Sequence, residues 1–169
     1  HGRPSGIDDT VVSQQEPILF QRGEPARPLR PGVELRLVLA SSGHPGSTRD
    51  AVAGVNAFRL AHQDDFQRMC ETISGLVSRG RTAMESGDLP ALGRLMNRNH
   101  GILQELDVST EALDRLVEAA RGAGALGAKL TGAGRGGFCV ALAPAGGEAA
   151  LAKALAEAGS PLVGPPMGS

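Results

Sequence analysis

The segment Gly132-Ala133-Gly134-Arg135-Gly136-Gly137 constrains this chain more than any other. Glycine is costly inside a helix and has no side chain to pack in a strand, so four glycines in six residues mark a turn. The run follows the strand-like Ala128-Lys129-Leu130-Thr131 and precedes Phe138-Cys139-Val140-Ala141-Leu142, which also reads as a strand. Two uses fit. The glycines can let the backbone approach an anion and offer it N–H donors, which is a phosphate cradle. They can equally form a tight β-turn, with glycine supplying positive φ. The run is not a P-loop, because no Gly-Lys-Ser/Thr follows it. Nor is it a dinucleotide fingerprint, because it leads into a strand rather than a helix.

The rest of the chain supplies the elements around this turn. Val33, Leu35, Leu37 and Leu39 alternate with Glu34, Arg36 and Val38, a strand with one face buried. A polar loop, 41–46, leads to a helix that Ser47 or Thr48 caps and that runs to about Leu60. Apolar residues at helical spacing predict three more helices, at 64–86, 89–105 and 110–123, the last capped by Ser109. An alanine-rich helix is expected over 147–158. Upstream, a helix or tight turn follows Pro4, a short strand covers 17–21, and the Pro/Gly-rich stretch 23–32 reads as a linker. The tail 159–169 frays or ends in a short edge strand. This order predicts an α+β domain with helices packed on one face of a small antiparallel sheet.

Composition narrows the function. The 169 residues carry a net charge of −1, without a long Lys/Arg run, which argues against a nucleic-acid partner. With four Phe, no Trp and no Tyr, the core must come from Leu, Val and Ala. Cys70 and Cys139 each sit in an apolar-periodic segment and are expected to be buried, reduced thiols. No stretch is long and apolar enough for a membrane helix and no signal peptide is visible, so no membrane partner and a cytoplasmic location are expected.

A second constellation opens the chain: His1-Gly2-Arg3-Pro4-Ser5-Gly6-Ile7-Asp8-Asp9. Pro and Gly fix a tight path, and a carboxylate follows. Such a carboxylate can accept a proton from a substrate hydroxyl or bind a metal. It can also simply oppose the dipole of a helix at its first turn.

Taken together, these segments resemble the GHMP small-molecule kinases, and among them the mevalonate kinases. His1 to Asp8 is similar to the family's H-G-x-P-S-G-[IV]-D signature, and Lys129 to Gly137 resembles its K-L-T-G-A-G-G-G-G motif. Between them, Pro45-Gly46-Ser47-Thr48-Arg49 and Val52-Ala53-Gly54-Val55 resemble the loop and helix after the first strand of the family's second domain. Asn99-His100 and the run from Leu106-Asp107-Val108-Ser109 to Leu113-Asp114 match a further family stretch loosely. The matches keep family order across nearly the whole chain. There are departures: Arg135 stands at a usual Gly, Phe138 at a usual Cys, Gln15-Glu16 at a Gly-Gly pair, Gly46 at a common basic position, and Ser41-Ser42 at a polar pair.

The resemblance implies a role for each position. Asp8 corresponds to the catalytic carboxylate that takes the proton of the acceptor hydroxyl as it attacks the γ-phosphate of ATP. His1, Pro4 and Ser5 shape the acceptor pocket, with Thr48 near the reacting groups. Gly132, Ala133 and Gly134 approach the acceptor, and Gly132, Gly134, Arg135 and Gly136 approach the nucleotide. ATP and Mg²⁺ are the implied cofactors and mevalonate the implied substrate, but none of these positions is assigned to the metal. Residues 1–30 correspond to the end of a first kinase domain and 31–169 to a ferredoxin-like second domain. The family's phosphate loop, its Mg²⁺-binding Glu and a Lys lie before the position of His1. The missing N-terminal half is therefore an expected partner, a homodimer is compatible, and the chain alone is expected to be inactive. The rival expectations are another GHMP kinase acting on phosphomevalonate, homoserine or a sugar, and a non-catalytic binding domain of the same fold.

Overall fold

A computed structural model describes residues 17–21 and 23–164. The core of the fold is a three-stranded antiparallel sheet. It is formed by β3 (Leu37–Ser41), β4 (Gly127–Thr131) and β5 (Phe138–Leu142), in the order β3-β5-β4. Before it, β1 (Ile18–Leu19) and β2 (Arg27–Pro28) pair as a short antiparallel hairpin. The helices are α1 (Thr48–Ala61), α2 (Gln63–Ser86), α3 (Leu89–Glu105), α4 (Glu111–Gly122) and α5 (Glu148–Glu157).

Register sorts the sheet residues into two faces. Val38-Ala141-Ala128 and Ala40-Cys139-Leu130 form two rows on one face, all buried. Helices α4 and α5 pack there, contributing Leu113, Leu116, Val117 and Ala120 from the first and Leu151 and Leu155 from the second. Each fully buried leucine contributes about 1.5–3 kcal/mol, so a core without Trp or Tyr is sufficient because its leucines are fully enclosed. The small alanines in the strands let the helices approach closely. On the opposite face, Leu142 joins Ala83 and Leu92 in a second cluster flanked by Leu35, Leu37 and Met96.

Helix ends follow local chemistry. The Ser47 side chain accepts a hydrogen bond from the Asp50 N–H and starts α1. Gly87, at φ 76°, ends α2 in the left-handed region, and Asp88 caps α3 directly afterwards. Four expectations are corrected. The first strand of the sheet begins at Leu37, because Val33 is exposed and the alternation upstream has no strand to pair with. The expected linker 23–32 contains β2, which pairs with the upstream strand. Thr110, not Ser109, caps α4, accepting from the Leu113 N–H, while the Ser109 hydroxyl donates to Asp114. Cys139 is buried but Cys70 is exposed, because it lies on the outward side of the α2 stripe.

The two margins of the sheet are finished differently. Along β3, the Ser41 N–H donates to the Leu162 carbonyl and the Gly164 N–H to Leu39, making the terminal segment a one-bridge edge at Val163. Along β4, α3 lies against the strand so closely that a Cβ on Gly93 would sit 2.1 Å from the Leu126 carbonyl oxygen. Its side chains then take the outward N–H groups: Asn97 Oδ1 accepts from Ala128 at 2.9 Å and His100 Nδ1 from Leu130 at 3.3 Å.

Candidate functional site

The glycine run is the hairpin loop between β4 and β5, as its composition requires. Gly132, Gly134, Gly136 and Gly137 have φ of 85°, 89°, 120° and 84°, and Arg135 has 57°. Five left-handed residues in a six-residue loop let the backbone turn sharply, which glycine allows at little steric cost. The tip, Gly132 and Ala133, is exposed, and no protein atom lies within 4 Å of a Cβ built on Gly132.

The base of the loop is fixed on two sides. On one side the Gly137 N–H donates to the His44 carbonyl at 2.8 Å, and the Ser42 N–H donates to the Gly137 carbonyl at 2.8 Å. A Cβ on Gly136 would lie 2.9 Å from the His44 and Pro45 carbonyl oxygens, and one on Gly46 would lie 3.1 Å from the Gly134 oxygen. The first approach requires glycine, since its φ is also positive, and the second leaves a side chain little room. On the other side the Arg135 N–H donates to the Val108 carbonyl at 2.7 Å, and a Cβ on Gly134 would be 2.3 Å from that oxygen. The loop is thus held between the β3–α1 connection and the α3–α4 connection.

This contact brings the predicted residues together. Thr48 is the exposed first residue of α1, two residues beyond the Gly46–Gly134 contact. Ala133 also lines an apolar groove of about 330 Å³ with Ala51, Val52, Val55, Asn56, Arg59 and Phe66 on α1 and α2. Gly132, Ala133, Gly134, Arg135, Gly136 and Thr48 therefore belong to one region of the fold, in which Gly132, Ala133 and Thr48 are exposed and Gly134 and Gly136 are buried. His1, Pro4, Ser5 and Asp8 lie outside the described residues.

Reading the sequence for chemistry missed the polar support behind the loop. His100 is buried, with Nε2 3.1 Å from Asp114 Oδ1. Because Nδ1 accepts from Leu130, Nε2 carries the proton that Asp114 receives. Burial lowers the His100 pKa below its ordinary value, although Asp114 opposes that shift. Asn97 Oδ1 also accepts from Arg121 Nε at 2.8 Å, and Arg121 in turn donates to the Ala128 carbonyl. The available signal was the spacing of Asn97 and His100, one helical turn apart on a mostly apolar stripe of α3. The Lys129 ammonium donates to the Leu130 carbonyl at 2.7 Å, and burial lowers its pKa.

The comparisons with known proteins agree with this geometry. Residues 81–160 match the family model described as GHMP kinases C terminal. The chain carries a GHMP kinase C-terminal domain. A mevalonate kinase of Pyrococcus horikoshii is 41% identical over 163 residues, covering 94% of this chain and 48% of that protein. The chain thus spans about half the length of the curated relatives it matches. The crystal structure of L. major mevalonate kinase in complex with R-mevalonate superposes with a TM-score of 0.90 at 35% identity, covering all of this chain and 55% of that one. A Streptococcus pneumoniae phosphomevalonate kinase with phosphomevalonate and AMPPNP gives 0.79 at 17% identity over 95% of this chain and 55% of its own, a likeness of fold. In this GHMP domain the hairpin loop and the start of α1 form the surface described above.

Proposed function

We propose that this chain is the C-terminal part of an ATP-dependent mevalonate kinase, which moves the γ-phosphate of ATP to the primary hydroxyl of mevalonate. The observation that carries this reading is the superposition over the whole chain, at 35% identity, on a mevalonate kinase crystallised with R-mevalonate. The glycine loop, pinned from both sides beside Thr48, supports it.

In this reading Asp8 removes the proton of the acceptor hydroxyl, His1, Pro4 and Ser5 shape the acceptor pocket, and Thr48 orients the reacting groups. Gly132, Ala133 and Gly134 bound the acceptor, and the loop through Gly136 faces the nucleotide. The loop has room for an anionic group at its tip, where Gly132 and Ala133 are exposed and no protein atom lies within 4 Å of a Cβ built on Gly132. ATP supplies the phosphoryl group and Mg²⁺ neutralises its charge. On this reading none of the described residues is assigned to the metal. The phosphate loop and metal ligand belong, on this reading, to an N-terminal half, and the 169 residues alone do not turn over ATP.

The test is ADP release with ATP, Mg²⁺ and a panel of mevalonate, phosphomevalonate, homoserine and galactose. It is run on this chain alone and joined to the N-terminal half of a mevalonate kinase. Turnover of mevalonate only in the joined protein is expected, and Asp8→Asn should lower kcat by at least about 100-fold while changing the ATP KM little. Turnover by the chain alone, or preference for another acceptor, would overturn the reading.

A further inference from the structure

Among the described residues, two that are not glycine have positive φ: Asp107 at 56° and Arg135 at 57°. They are ion-paired with each other, Arg135 Nη2 lying 2.6 Å from Asp107 Oδ2. The left-handed conformation disfavours any residue with a Cβ. Two such residues at the ends of one ion pair are more than a surface accident of charge.

The surroundings explain the pairing. Asp107 is the residue before Val108, whose carbonyl accepts from the Arg135 N–H. Backbone and side chain of Arg135 therefore grip two adjacent residues, Val108 and Asp107. The guanidinium crosses α1 at Gly54, where a Cβ would come within 3.3 Å of Nη2, so that helix has room for it. Arg135 Nε is covered from solvent, although the side chain as a whole stays 37% exposed and its pair with Asp107 lies at the surface. Three segments meet at this side chain: the glycine loop, the α3–α4 connection and α1.

We propose that Arg135 is a positioning residue. Through its pair with Asp107 it holds the β4–β5 glycine loop in register with the α3–α4 connection, and it does not serve as a direct phosphate ligand. A glycine at this position would leave the loop anchored by backbone contacts alone, and the Arg135–Asp107 pair replaces the lost freedom with a tether. The consequence for catalysis rests on the kinase reading above. The structural consequence does not.

The first arm of the test measures amide hydrogen exchange by NMR on this chain, with Asp107→Asn, Arg135→Gln and the double variant. Asn tolerates positive φ, and Gln has the same backbone preference as Arg, so neither change alters the turn itself. The amides of Arg135, Gly137 and Ser42, each bonded across the loop, should exchange roughly three- to fivefold faster in either single variant, the scale of an exposed ion pair. The double variant should exchange no faster than the singles, and amides of α4 should be unchanged. Unchanged loop exchange in the singles, or effects that multiply in the double, would overturn the proposal.

The second arm uses the joined kinase. Both single variants should lower kcat by a similar factor, roughly threefold, with the ATP KM within about twofold. A roughly tenfold rise in ATP KM for Arg135→Gln, with none for Asp107→Asn, would show a direct phosphate contact and overturn it. A joined protein without turnover would count against the kinase reading, and the exchange arm would still decide the tether.

Discussion

His100 sits between the Leu130 N–H, which needs the ring neutral, and Asp114, which favours its charged form. The Leu130 N–H requires a lone pair on Nδ1, which protonation would remove, and the ring is fully enclosed. Its folded-state pKa is therefore lowered below the ordinary value near 6.5, with burial as the main cause. Below that value the unfolded chain binds a proton that the folded chain refuses. The stabilisation is thus complete above about pH 6.5 and is lost as pH falls toward the folded pKa. Urea unfolding midpoints should drop between about pH 7.5 and 5.5, and His100→Gln should flatten that dependence. A wild-type midpoint that rises on acidification would contradict this account. The same side chain shows what was hidden at the residue scale. Its helical position was readable in the sequence, but its two partners come from a strand 30 residues later and a helix 14 residues later.

At the scale of elements, the contact between α3 and β4 depends on two missing side chains, at Gly93 and Gly127. The Gly93 and Gly127 backbones touch, and a Cβ on Gly93 would lie 2.1 Å from the Leu126 carbonyl oxygen and 2.9 Å from the Gly127 nitrogen. Neither partner is a flexible side chain that could yield. Gly93→Ala should push α3 off the strand and cost about 3 kcal/mol or more, read as a lowered midpoint in chemical denaturation. Gly101→Ala in the same helix, with nothing within 4 Å, should be neutral or stabilising by comparison. Helix limits were legible in the sequence because each is written locally: Ser47 starts α1, and Gly87-Asp88 ends α2 and starts α3. The β1–β2 hairpin was not, because Arg27–Pro28 looks like a breaker until the strand that it pairs with is known. The glycine loop was legible as a turn between two strands. Its anchors at His44, Asp107 and Val108 were not, since they are distant in sequence and act largely through backbone atoms.

At the scale of the molecule, one sheet serves both apolar clusters. Leu142 belongs to the cluster under α2 and α3, and its neighbour Ala141 to the one under α4 and α5. Neither cluster can open without exposing the same strand, so the described part of the chain should unfold in a single transition. Its two thiols report on this. Cys70 is exposed and should react with a thiol reagent in the native protein, whereas Cys139 is enclosed, with burial pushing its pKa up to about 11. Labelling of Cys139 across a urea series should track the far-UV circular dichroism transition. Labelling that precedes the loss of helix would show that the sheet opens independently.

The finish of the sheet has a further consequence. A strand with a free margin offers a ready template to any other chain that can align beside it, and a hairpin as apolar as β4–β5 would be a good template. Here α3 covers one margin with Asn97 and His100, and the segment at Val163 covers the other. The side chains that fasten the helix to the strand therefore also act as guards against aggregation. The three-stranded sheet can thus carry its glycine loop in solvent while α3 and the segment at Val163 occupy its margins.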